Sequence, residues 1–140
     1  AYGVRSEIYS ATSYGEMRRE GLECDRWNRL HPSKAAKQPW IEQMLGPGDV
    51  PVIAVSDNMA AVPDMIRQWV GGHFTVLGTD GFGRSDTREA LRRFFEIDGA
   101  AVALAALSSL VRDGSIDATV YEKAEKEFGI STERKDITEI

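Results

Sequence analysis

A chain of 140 residues that is 42% hydrophobic and 28% charged has the size of one domain and enough apolar material for a core, which excludes collagen-like, low-complexity and disordered classes. A net charge of −5 argues against nucleic acid or an anionic membrane surface as a partner. One cysteine, Cys24, and two histidines exclude an internal disulfide and a structural zinc site of the usual ligand set.

No apolar run reaches the ~20 residues of a membrane span. Residues 1–10 lack the basic-then-apolar order of a signal peptide, and a reduced cytoplasm is the expected setting.

Residues 4–10 alternate, with Val4, Ser6, Ile8 and Ser10 on one side and Arg5, Glu7 and Tyr9 on the other, which predicts a strand. Ser13 with Glu16 reads as a capping box opening a helix that buries Met17, Gly21 and Cys24 and stops at His31-Pro32. Residues 32–49 predict a connection holding one short helix around Trp40 to Leu45, broken by Gly46-Pro47-Gly48. Residues 50–55 are continuously apolar, as in a parallel strand buried on both faces. Ser56-Asp57-Asn58 is expected to cap a helix through Met59, Val62, Ile66, Trp69 and Val70, with Pro63 tolerated near its start.

Residues 74–77 predict a third strand. Asp86 with Glu89 reads as a second capping box, opening a helix with Leu91, Phe94 and Phe95 inward. Asp98 opens a largely buried helix ended by Gly114, and Ser115 or Asp117 caps a last one ended by Gly129. Residues 131–140 read as a loose tail. Alternating strands and helices define a layered α/β domain with a mainly parallel sheet, and three strands make a thin, incomplete one.

The loop of Gly78, Thr79, Asp80, Gly81, Phe82, Gly83, Arg84, Ser85 and Asp86 is the leading candidate site. It lies between a strand and a helix N-terminus, where backbone N–H groups favour anions. The dinucleotide fingerprint fails at Asp86, which would repel a phosphate. The competing reading is a tight glycine turn with Asp86 as cap and Arg84 solvated or paired with Asp80. Neither His31 nor His73 has a carboxylate at relay spacing, and Cys24, between Glu23 and Asp25, reads as a core residue. Arg88, Arg92 and Arg93 form a basic helix face, either solvated or a dock for an acidic partner.

Three runs carry a resemblance: Tyr9-Ser10-Ala11-Thr12-Ser13; Cys24-Asp25-Arg26-Trp27-Asn28-Arg29-Leu30-His31-Pro32; and Val76-Leu77-Gly78-Thr79-Asp80-Gly81-Phe82-Gly83-Arg84-Ser85-Asp86. They closely resemble the C-terminal domain of the homodimeric bacterial pyruvate dehydrogenase decarboxylating component. The likeness continues through Arg88-Glu89, Leu91-Arg92, Phe95-Glu96 and residues 102–107 and covers nearly the whole chain. It implies a three-layer α/β/α transketolase C-terminal-like domain, with residues 1–140 a partial copy.

The resemblance also implies a parent enzyme that uses thiamine diphosphate and magnesium to decarboxylate pyruvate and acetylates the lipoyl group of a dihydrolipoyl acetyltransferase. This domain would support the dimer and supply no catalytic, cofactor or metal residue. Gly78, Asp80, Gly81, Phe82, Gly83, Arg84, Ser85 and Asp86 would take interface or structural roles. Its partners would be the remaining domains, the second subunit and the acetyltransferase, with no nucleic acid and no membrane. Family members place a further strand–helix unit upstream, its strand between the first and second strands predicted here. The expectation is a truncated piece whose open strand edges lead an isolated sample to oligomerise, swap elements or partly unfold.

Overall fold

The computed structural model describes residues 2–131 and 133. The first helix, α1 (Tyr14–Leu30), opens on Ser13, whose Oγ accepts from the Glu16 N–H at 3.2 Å. Glu16 does not reach back to the cap; its carboxylate turns to Arg19 at 2.6 Å. The second, α2 (Trp40–Leu45), has the predicted bounds. Strand β1 (Val52–Val55) pairs in parallel with β2 (Phe74–Leu77), Val52 opposite Phe74 and Val55 opposite Leu77.

Side chains alternate along a strand, and Val52, Ala54, Phe74 and Val76 turn to one face. There they meet Ile41 of α2, Met17 of α1, and Ile66, Trp69 and Val70, forming the first core. A second core is all helical. Leu104 and Leu107 of α5 (Gly99–Arg112) meet Ala124 of α6 (Ala118–Phe128), and Tyr2, Val120, Tyr121 and Phe128 close over them. Helix α5 also packs against β1.

The α/β class stands, but several local expectations change. Residues 4–10 form no strand among the described residues; they run exposed, with Ile8 at 92%. A strand exists only through a hydrogen-bonded neighbour, and alternation alone supplies none. The sheet therefore has two strands, and β1 is buried at Ala54 but exposed at Val55, not covered on both faces.

The helix expected from residue 59 to 70 splits into a short α3 (Ala61–Asp64) and a 3-10 turn, Arg67–Trp69. Asp86 is not the cap of α4 (Arg88–Phe94); Thr87 is, its Oγ1 accepting from Ala90 N–H at 3.3 Å. The reading of 131–140 as a tail lies outside the described residues, save Ser131 and Glu133.

The stretch Arg88–Arg112 meets the length and composition of a membrane span, against the expectation from apolar run length. It is two helices, however. Glu96 has φ 55 and Asp98 is extended, so the axis breaks between α4 and α5. The 14 residues of α5 rise about 21 Å, short of a ~30 Å hydrocarbon core.

The 3-10 turn Arg67–Trp69 is anchored on both sides. The Trp69 indole lies against Gly21 of α1, where an added Cβ would sit 2.5 Å from the ring. Its Nε1 donates to Asp25 Oδ2 at 3.1 Å, and Gln68 donates to the same oxygen at 2.9 Å. Arg67 pairs with Asp64 and donates to the Phe74 carbonyl at 2.9 Å, fixing this turn to β2.

Candidate functional site

The loops leaving β1 and β2 stand at the carboxyl ends of two parallel strands, the common place for a ligand crevice in an α/β sheet. Here the two loops fill each other. Thr79 N–H donates to the Asn58 carbonyl at 3.0 Å, and Thr79 Oγ1 to the Asp57 carbonyl at 2.9 Å. Asp80 Oδ1 accepts from the Ala60 N–H at 3.1 Å. Ala60 precedes α3 and has no capping side chain, so Asp80 caps that helix from 20 residues away. A Cβ on Gly78 would sit 2.4 Å from Ala60 N, so only glycine permits this approach.

The rest of the candidate loop is solvent-facing, residues 80–89 all being exposed. Gly81 turns the chain at φ 96, and Gly83 stands in open space. Phe82, between them, is 78% exposed. Arg84 lays its guanidinium 4.1 Å from the centre of the Phe94 ring and is not the partner of Asp80. Ser85 is exposed. Asp86 Oδ1 accepts from the Thr87 N–H at 2.7 Å. An anion approaching the start of α4 meets this carboxylate first, and α4 has only seven residues. The loop thus has an inward half fastened to residues 57–60 and an exposed half from which Phe82 projects.

The arginine face is partly committed inward. Arg92 lies 3.6 Å from Asp57, and Arg93 pairs with Asp98 at 3.0 Å while donating to the Phe128 carbonyl at 2.7 Å. Arg93 thereby ties α4 to the cap of α5 and the end of α6. Burial by itself raises the Asp98 pKa, but the Ala101 N–H and Arg93 outweigh it and hold the carboxyl below its ordinary value. Beside these residues a groove of about 640 Å³ is lined by Arg84, Phe94, Glu96 and Ile130.

Residues 24–31 are held by contacts among themselves and with Glu20 and Lys37. Cys24 is buried, and desolvation first, then the Glu20 hydrogen bond, pushes its thiol up, away from nucleophilic use. Trp27 stacks on His31 at 4.5 Å with Lys37 4.8 Å from its ring, and Asn28 exchanges two hydrogen bonds with the Lys37 backbone. His73, which has no nearby carboxylate in sequence, meets Asp113 at 2.8 Å in space. Sequence reading missed Asp57 and Asn58 as partners of Thr79, and Ala60 as the partner of Asp80 and Gly78. The Ser-Asp-Asn run at 56–58 was the available signal, and it points to a loop, not a capping side chain.

A family model described as the transketolase-like C-terminal domain matches residues 1–98. The chain belongs to that family. It is 46% identical over 135 residues to the pyruvate dehydrogenase E1 component of Pseudomonas aeruginosa, covering 96% of this chain and 15% of that protein. It is also 46% identical over 129 residues to the same component of Mycolicibacterium smegmatis, covering 92% and 14%. The Escherichia coli K12 component is 43% identical over 134 residues, covering 95% and 15%. The chain thus spans about 15% of the length of these relatives.

Proposed function

We propose that the chain is the C-terminal, dimer-supporting domain of a homodimeric pyruvate dehydrogenase E1 component in a bacterial cytoplasm. One observation carries the reading: 46% identity across nearly the whole chain, confined to 15% of the relative. The parent enzyme decarboxylates pyruvate and acetylates the lipoyl group of a dihydrolipoyl acetyltransferase. Its partners are the remaining domains, the second subunit and that acetyltransferase. Residues 1–140 act within it as one partial domain.

Thiamine diphosphate and magnesium supply the parent's decarboxylating chemistry. The residues of this chain do not fit that group. Among those described, no cluster of three or more His, Cys, Asp or Glu stands where it could hold a metal ion. The carboxylates of Asp80 and Asp86 accept from the chain's own N–H groups. No catalytic step runs through these residues, and the domain contributes packing and shape.

The test is to isolate the gene product from its source cell, measure its intact mass and assay pyruvate-dependent acetylation of a lipoyl domain. A product several times 15.5 kDa that turns over pyruvate is expected, with the 140-residue chain alone inactive. An active 15.5 kDa product, or a long product inert toward pyruvate, would overturn the reading.

A further inference from the structure

Two loops stitched to each other present large apolar side chains at one end of the sheet. Val55 ends β1 and is 43% exposed, Met59 in the next loop is 57% exposed, and Phe82 is 78% exposed. The stitching is rigid: Thr79 to Asn58 and Asp57, Ala60 to Asp80, and Gly78 pressed on Ala60. Polar groups at the base of the loops satisfy one another. What the surface offers is apolar contact on a fixed base, which suits a protein partner better than a small polar ligand.

We propose that this end of the sheet docks against the preceding domains of the same polypeptide, with Phe82 as the anchor. The inference rests on the reading of the chain as part of an E1 component, and the ~85% of the relatives' length outside the match is the source of the occupant. Phe82 sits between Gly81 and Gly83, which add no side chain to obstruct its entry into a socket. The exposed charges around it are mixed, Arg84 and Arg88 with Asp80, Asp86 and Glu89, so the socket takes an apolar floor and a polar rim of both signs.

Hydrogen exchange on the full-length gene product tests this. Within the described residues the amides of Phe82 and Gly83 donate no hydrogen bond, so unprotected they exchange at peptide rates. Docking is expected to slow them at least tenfold in the full-length protein. Phe82→Ser is expected to return them to peptide rates and leave Leu104 and Leu107 of α5 unchanged, while Phe82→Leu keeps most of the protection. Peptide-rate exchange in the unaltered protein would overturn the proposal, as would a Phe82→Ser effect equally large in α5. If the loop is protected but the protein does not act on pyruvate, the E1 reading fails and the docking face stands.

Discussion

The two cores are built by different means. Around the sheet, contacts join residues far apart in sequence at distances that admit no extra atoms: Gly21 under the Trp69 ring, Gly78 on Ala60, Asp25 holding Trp69 and Gln68. In the α5–α6 pair, neighbours in sequence do the work. Asp98 and Asp117 cap the two helices, Gly129 closes the second in the left-handed region, and Leu104, Leu107 and Ala124 fill the seam. The first region gains specificity from exclusion, and the second gains stability from local propensity and apolar burial. They meet chiefly where α5 touches β1 and where His73 meets Asp113.

Leu107→Ala is the strongest way to separate them. Leu107 is 3% exposed, and truncation of such a leucine costs about 2–5 kcal/mol. Amide exchange should accelerate in α5 and α6 while the Val52 and Ser56 amides, bonded to His73 and Leu77 carbonyls, keep most of their protection. Equal losses in both regions would show a single cooperative unit.

Gly21→Ala probes the other side. A helix normally gains from this exchange, but the new methyl meets an indole held on Asp25. Overpacking costs about 1–3 kcal/mol, so the urea midpoint should fall. A rise would mean that the Trp69 ring yields easily.

The smallest effect is acid sensitivity. Asp98 and Asp117 both have carboxyls held below their ordinary values, Asp117 by the Thr119 hydroxyl and then the Thr119 N–H. Their folded-state pKa values lie below the unfolded ones. Their contribution is therefore complete above the unfolded carboxylate range, near pH 4, and disappears as pH falls through the folded values. Urea titrations at pH 6 and pH 3 should show α5–α6 weakening with acid, and Asp98→Asn should reduce that dependence.

The contrast also explains what could be read in advance. Ser13, α2, β2, Asp98, Asp117 and Gly129 carry their signals within a few residues, and each sits where its local pattern places it. Asp86 misled by one position because Thr87 also caps and offers its hydroxyl to Ala90. Residues 4–10 misled because a strand pattern declares faces, not neighbours. The roles of Asp80 and Asp25 were illegible, since each acts on a group 20 or more residues away. Residues 78–86 were legible as a loop between a strand and a helix, but their division into inward fasteners and an outward Phe82 depends on partners 20 residues away.

Glu20 accepts from the Cys24 thiol with one oxygen and from the Trp40 N–H, at the start of α2, with the other. The seam between α1 and α2 therefore contains the chain's single sulfhydryl as a natural reporter. The thiol is 8% exposed at the floor of a surface groove, so a thiol reagent reaches it faster when that seam parts. The rate of alkylation becomes a clock for local opening, readable in the unaltered protein without an introduced probe.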